Sequence, residues 1–346
     1  MAQLWFWAIA AMLGVYAVLD GFDIGAGIIH LFAARTDAQR RAVLRSIGPV
    51  WDGNEVWLIA AGGALFLAFP ALYASSFSGF YLPLTMVLWL LMLRGIALEF
   101  RNRIESPVWA PLWDVVFAGA SAALAGFYGA AVGNIVRGVP LDVTGFFFLP
   151  LWTDFRVGSE VGILDWFTVM VGLAVFFAMA EHGALWVAMK TEDEVAERCR
   201  RLAGALWWAV VLFTALVAAL SPLVQPHLLE RIARSPWGYV FPAGAISGLL
   251  GMKYFNRASA EKRAFGCSCL YVLGIAASTA FGLFPYLLPS NIDPKFGLTV
   301  YNASAPARSL AIGMAWFIPG IILAAAYVVV AYRSFAGKVK LEEEGY

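Results

Sequence analysis

Cysteine, histidine and charge are all scarce in this sequence, and each scarcity excludes something. The three cysteines, Cys199, Cys267 and Cys269, lie at or beside segments read below as cytoplasmic, where thiols stay reduced, so a disulfide framework is excluded. Cys267-Ser268-Cys269 has no second ligand pair in the sequence to complete a structural zinc site. The three histidines, His30, His182 and His227, include no pair spaced to ligate a haem or copper centre. Charged residues are 14% of the 346, against roughly 25% in soluble domains. With a net charge of +1 and no long Lys/Arg run, nucleic acid is not an expected partner.

What the chain has in abundance is apolar length. Hydrophobic residues make up 61% and mean hydropathy is +0.75, more apolar surface than a water-soluble fold can hide. A bilayer core takes about 20 apolar residues per helix. Such stretches fall at 5–32, 55–74, 77–98, 111–135, 161–189, 203–223, 237–252, 264–289 and 309–332. The expected fold is therefore an all-α polytopic membrane protein of about nine transmembrane helices, forming one domain over 1–346. The seventh stretch is the weakest, being short and containing Pro242 and several glycines. The first lacks a basic flank and exceeds a signal-peptide core, so it reads as a retained helix.

Basic residues set the orientation. Eighteen of the 24, from Arg35 through Arg333, Lys338 and Lys340, fall after odd-numbered stretches. The N-terminus is thus expected outside and the C-terminus in the cytoplasm. The outer segments Gly138 to Glu160 and Pro289 to Pro306 are longer, rich in aromatics and prolines, and read as ordered caps. Trp5, Trp7, Trp109, Trp113, Trp152 and Trp237 lie near stretch ends as an interfacial belt.

The acids carry the chemistry. Asp20 and Asp23 lie inside the first stretch at i,i+3 spacing, which puts both on one helix face. Asp52 and Glu55 repeat that spacing at the start of the second, bracketed by Trp51 and Trp57. Glu99 ends the third, Asp114 begins the fourth, and Glu181-His182 lies within the fifth. Ionisable groups at membrane depth are costly unless paired or wetted, which marks them as functional candidates. In the expected topology most of them sit in the inner half, as a proton uptake path from the cytoplasm requires. A structural alternative has Asp52, Glu99 and Asp114 pairing with Arg45, Arg94 and Arg101 or capping helix ends. Gly21, Gly25 and Gly27, with Gly62, Gly63 and Ala64, read as surfaces for close helix approach.

Several strings in this chain resemble subunit II of the cytochrome bd quinol oxidases. They are Asp20-Gly21-Phe22-Asp23-Ile24-Gly25-Ala26-Gly27, the segment Ser46 to Leu58 containing Trp51-Asp52-Gly53-Asn54-Glu55, and Gly62-Gly63-Ala64-Leu65-Phe66 with Phe69-Pro70. Phe77 to Tyr81, Arg94 to Arg101, Phe284-Pro285-Tyr286, Pro289-Ser290 and Asn302-Ala303-Ser304 extend the resemblance over the whole chain. It implies two four-helix bundles plus a peripheral helix, in the bacterial cytoplasmic (inner) membrane. It also implies a subunit that ligates no cofactor itself and is not catalytic alone. Two b-type haems and one d-type haem belong to the partner, subunit I, where quinol is oxidised and oxygen reduced to water. A structural quinone in this chain and a small single-helix subunit are compatible with it.

Position by position, Asp20, Asp23, Asp52 and Glu99 match acids of a cytoplasmic proton path, and Glu55 joins them on its spacing. Trp51, Trp57, Arg94 and Arg103 are supporting, quinone or interface candidates, and no metal ligand is expected. Two departures stand out: Val50 replaces a histidine of some relatives, and Arg103 falls where some carry lysine. The rivals are a secondary transporter, which lacks inverted repeats here, and a purely structural scaffold.

Overall fold

Lipid offers no partner for a free N–H or C=O, so an apolar chain must satisfy its backbone within each crossing, as a helix does. The computed structural model describes residues 1–158 and 160–339; Lys340, counted above for orientation, lies outside them. The helices are α1 (Ala2–Ala33), α2 (Asp37–Ile47), α3 (Trp51–Ala68), α4 (Pro70–Gly79), α5 (Tyr81–Phe100) and α6 (Trp109–Arg137). They continue with α7 (Trp166–Lys190), α8 (Asp193–Val224), α9 (His227–Arg234), α10 (Val240–Arg257), α11 (Glu261–Leu283) and α12 (Ala307–Ser334). Among the described residues, seven helices are long and apolar enough to cross a membrane: α1, α5, α6, α7, α8, α11 and α12. The protein is a polytopic, all-α membrane protein.

The remaining two expected stretches correspond to α3 and α10, each 18 residues long. Both carry polar groups at one end, Asp52, Asn54 and Glu55 in α3 and Lys253, Asn256 and Arg257 in α10, which lowers their apolarity. The second stretch is also shorter than expected. Pro70 has no N–H and disfavours helix at the residue before it. Phe69 accordingly leaves the helical region (φ −134°, ψ 64°), α3 ends at Ala68, and Pro70 opens the short α4.

One helix group is α1, α3, α5 and α6; the other is α7, α8, α10 and α11. They join where α1 meets α7 and α11 and where α6 meets α7, while α12 leans on α3 and α1. The α1–α7 joint is a backbone-to-backbone crossing: a β-carbon at Gly25 would overlap the Met179 carbonyl oxygen, and one at Gly183 the Gly25 carbonyl carbon. The expected packing role of Gly62 and Gly63 has no counterpart within this chain, since β-carbons there would meet only open space.

The long segments between α6 and α7 and between α11 and α12 fold as a cap. β1 (Tyr286–Leu288) pairs antiparallel with β2 (Leu298–Thr299), Tyr286 opposite Thr299 and Leu288 opposite Leu298. Val139, Leu141, Leu149, Val161, Ile163 and Val300 bury beneath it against Trp5, Phe6 and Phe69. Trp5 is therefore a core residue and not part of a belt; it is 2% exposed and its indole N–H donates to the Leu310 carbonyl at 3.1 Å.

Candidate functional site: a buried acid network

Tyr16, Asp20 and Asp23 follow one another at i, i+4 and i+7 along α1, so they share a face. Opposite that face stand α3, α5 and α6. Asp20 is fully buried: its Oδ1 accepts from the Arg94 guanidinium of α5 at 2.5 Å and its Oδ2 from the Tyr16 hydroxyl at 2.7 Å. Tyr16 also shares a 2.7 Å hydroxyl contact with Tyr128 of α6. Asp23, equally buried, accepts from Asn54 Nδ2 of α3 at 2.7 Å. The same Nδ2 reaches the Leu19 carbonyl at 3.3 Å, while Asn54 Oδ1 accepts from the Tyr332 hydroxyl of α12 at 2.9 Å. Five helices thus contribute to two adjacent hydrogen-bonded sets, Tyr128–Tyr16–Asp20–Arg94 and Asp23–Asn54–Tyr332, inside an apolar protein.

The network is not closed. Asp23 Oδ1, Glu55 Oε1 and the Nε and Nη1 of Arg94 are buried without a hydrogen-bond partner. Buried polar atoms are rarely left so, and such gaps call for water, a proton or a change of partner. Three carboxyl groups here face one guanidinium.

The expected site residues divide. Asp20, Asp23, Glu55 and Arg94 come together. Asp52 is exposed in the first turn of α3, and Glu99 is 37% exposed at the end of α5. Glu99 lies 3.9 Å from Arg103, itself 71% exposed, and Arg94 turns instead to Asp20. Trp51 is half-buried against α5, where a β-carbon at Gly95 would lie 3.3 Å from its ring. Trp57 is half-buried and takes no part in the network.

Asp114 follows the structural alternative. It accepts from Arg101 at 2.6 and 3.1 Å, from Arg40 at 2.9 Å, and meets His30 Nε2 at 2.7 Å. Arg101 also reaches Asp37 at 2.8 Å, tying α2 to the ends of α5 and α6. At the opposite end Arg137 pairs with Asp165, which caps α7 by accepting from the Phe167 and Thr168 amides at 2.8 and 2.9 Å. Glu181 is 2% exposed, with Oε2 unpartnered.

Tyr16, Tyr128, Asn54 and Tyr332 were not among the expected site residues. Tyr16 had a readable signal, a hydroxyl one turn before Asp20; Tyr332 lies 278 residues from Asn54 and had none. Tyr332→Phe leaves Asn54 Oδ1 without its donor and is expected to cost about 1–3 kcal/mol, read as a lower thermal unfolding midpoint.

The three histidines each make a hydrogen bond within the chain, and Nδ1 of His30 is buried without a partner. Both ring nitrogens of His182 are engaged, by Ser268 Oγ at 2.7 Å and the Val18 carbonyl at 2.9 Å. His30 is held by Asp114, and His227 Nε2 by the Phe284 carbonyl at 3.1 Å. Among the described residues no group of three His, Cys, Asp or Glu is placed to hold a metal ion.

Fold and site together define a helical membrane protein that keeps ionisable groups at depth, a class in which such groups carry function. The chain belongs to the cytochrome bd terminal oxidase subunit II family, whose profile matches residues 1–335. It is 30% identical to the probable cytochrome oxidase subunit 2 of Haemophilus influenzae, over 97% of this chain and 94% of that one. It is also 30% identical to the cytochrome bd-I ubiquinol oxidase subunit 2 of Escherichia coli K12, over 98% and 95%. For the cytochrome bd ubiquinol oxidase subunit 2 of Bacillus subtilis the identity is 30%, over 89% and 88%. The fold matches a chain of the bd oxidase structure from Geobacillus thermodenitrificans with a TM-score of 0.72, at 17% identity, over 96% of this chain and 98% of that one.

Proposed function

We propose that this chain is the haem-free subunit II of a quinol:oxygen oxidoreductase, pairing with a haem-bearing subunit I and carrying protons toward its oxygen-reducing site. The observation that carries the proton role is the run Asp20, Asp23, Asn54 and Tyr332 beside Arg94 and Glu55, with acceptor atoms of Asp23 and Glu55 left open. A proton needs successive acceptors; hydrogen bonds join Asp23 to Asn54 and Tyr332, and in this reading water bridges the open atoms of Asp23 and Glu55 to the Asp20–Arg94 pair. Asp52, exposed, and Glu99, half-exposed, both at helix ends, are the mouth residues in this reading. The supporting topology is nine crossings in one domain over 1–346, with α3 and α10 spanning, the N-terminus outside and the C-terminus in the cytoplasm of a bacterial inner membrane. Subunit I holds two b-type haems and one d-type haem. Protons taken up inside while quinol releases its own outside build a membrane potential without pumping.

Glu55→Gln and Asp23→Asn are each expected to lower quinol-driven oxygen consumption of the purified complex by an order of magnitude or more, with the haem spectrum unchanged. Asp52→Asn, at the exposed mouth, is expected to lower turnover less. Normal turnover in both Glu55→Gln and Asp23→Asn removes α1 and α3 from the path. Asp114, saturated by Arg40, Arg101 and His30, serves as a structural tie.

A further inference from the structure

Where α10 ends against the first half of α8, a groove of about 460 Å³ opens between Trp207, Leu250, Lys253, Tyr254, Arg257 and Ala258. Its character changes along its length. Arg257 is exposed and Lys253 half-exposed; the buried Glu181 attracts Lys253 at longer range, and neither cation forms an ion pair among the described residues. Neighbouring cations do: Arg200 pairs with Glu197 and Glu261, Arg198 with Glu194, and Lys338 with Glu261. Lys253 donates to the Gly204 carbonyl at 3.0 Å and stands 4.8 Å over the Trp207 ring and 5.1 Å over that of Trp208. The Tyr254 hydroxyl, on a side chain 69% exposed, is a further donor. Away from these groups the surface turns apolar, with Trp208, Leu212, Ile246 and Leu250 all more than half exposed.

We infer that this groove binds one anionic phospholipid, its phosphodiester held by Lys253, Arg257 and Tyr254 and an acyl chain lying along Leu250, Ile246 and Leu212. Dimensions and charge both favour that occupant. From Arg257 back to Ile246 α10 rises about 16 Å, half of a hydrocarbon core about 30 Å thick, so the cations sit at headgroup level when the apolar strip lies in one leaflet. Two cations outside any ion pair, only Lys253 being attracted at longer range by the buried Glu181, stand beside aromatic rings at that level; they complement a phosphodiester and leave a neutral or cationic surface without a counterpart. The inference stands apart from the proton role, since none of these residues belongs to the acid network.

Native mass spectrometry of the purified, delipidated complex tests it, with phosphatidylglycerol, phosphatidylcholine and inorganic phosphate as probes. Phosphatidylglycerol is expected to be retained in preference to phosphatidylcholine. Arg257→Gln should weaken it about 5-fold and Lys253→Gln with Arg257→Gln about 25-fold, with phosphatidylcholine retention unchanged. Arg257→Gln alone keeps the test decisive if losing the Lys253 bond to Gly204 loosens α8 from α10. Equal retention of the two lipids, or undiminished phosphatidylglycerol binding in the variants, overturns the inference. Displacement of phosphatidylglycerol by equimolar inorganic phosphate also overturns it, in favour of a free-anion pocket.

Discussion

Arg94→Gln is expected to cost about 3–5 kcal/mol, the usual consequence of removing one partner from a buried ion pair. Asp20 and Arg94 are both fully buried, and no other cation pairs with Asp20 among the described residues. Without the guanidinium, the Asp20 carboxylate keeps only the Tyr16 hydroxyl at 2.7 Å. The readouts are the yield of assembled complex and its thermal unfolding midpoint. The double variant Asp20→Asn with Arg94→Gln removes both charges and leaves two amides able to bond each other. It is expected to recover most of the lost stability, because residues in direct contact couple strongly, yet not turnover, because an amide accepts and releases no proton. A double variant as unstable as Arg94→Gln alone would show that the charge pair is not what the single substitution disturbs. Arg94 has further scope. Only one of its terminal nitrogens is bonded, Nε and Nη1 being open, so its remaining donors are available to Asp23 or Glu55 as the charge on those groups changes.

The legible parts of this protein are those that depend on neighbours in sequence. Apolar length located the helices, because satisfying the backbone in lipid is a local requirement. The i,i+3 spacing placed Asp20 and Asp23 on one face, and both are buried. The same spacing misled for Asp52 and Glu55. Residues three apart differ by about 60° around a helix, enough to leave one exposed in the first turn and the other half-buried. Arg94 shows the harder limit. Sequence offered Glu99 as its partner five residues on, whereas its guanidinium meets Asp20 at a separation of 74 residues. Tyr332 is more distant still, on a helix that leans on α3 and α1. Which face meets which helix is decided by packing, and the glycine crossings that set the packing carry no mark of their partner. Gly25 was read as a packing residue; Gly183, its counterpart, was not. Apolarity marks α3 less strongly than α1 or α5, because its first turns carry Asp52, Asn54 and Glu55.

Gly25→Ala and Gly183→Ala are each expected to cost about 3 kcal/mol or more, at or beyond the upper end for overpacking. The reason is what the new methyl would meet. At Gly25 it overlaps the Met179 carbonyl oxygen and lies 2.7 Å from the Gly183 amide nitrogen; at Gly183 it overlaps the Gly25 carbonyl carbon. These are backbone atoms of two long helices, and neither can rotate aside as a side chain would. α1 and α7 must separate, and with them the two helix groups they join. Asp23 precedes Gly25 by two residues, so the shift reaches the acid network as well as the fold. Gly21→Ala is the control, because its β-carbon would meet only His182 Cδ2 at 3.6 Å, an ordinary contact. An alanine inside a helix is favoured over glycine by up to about 1 kcal/mol, so this variant is expected to be neutral or slightly stabilised. The quantities to measure are assembled complex per membrane and its thermal midpoint. Loss in Gly25→Ala and Gly183→Ala with Gly21→Ala preserved places the joint at the crossing itself, while equal loss in all three would assign it to glycine's backbone freedom and not to close approach.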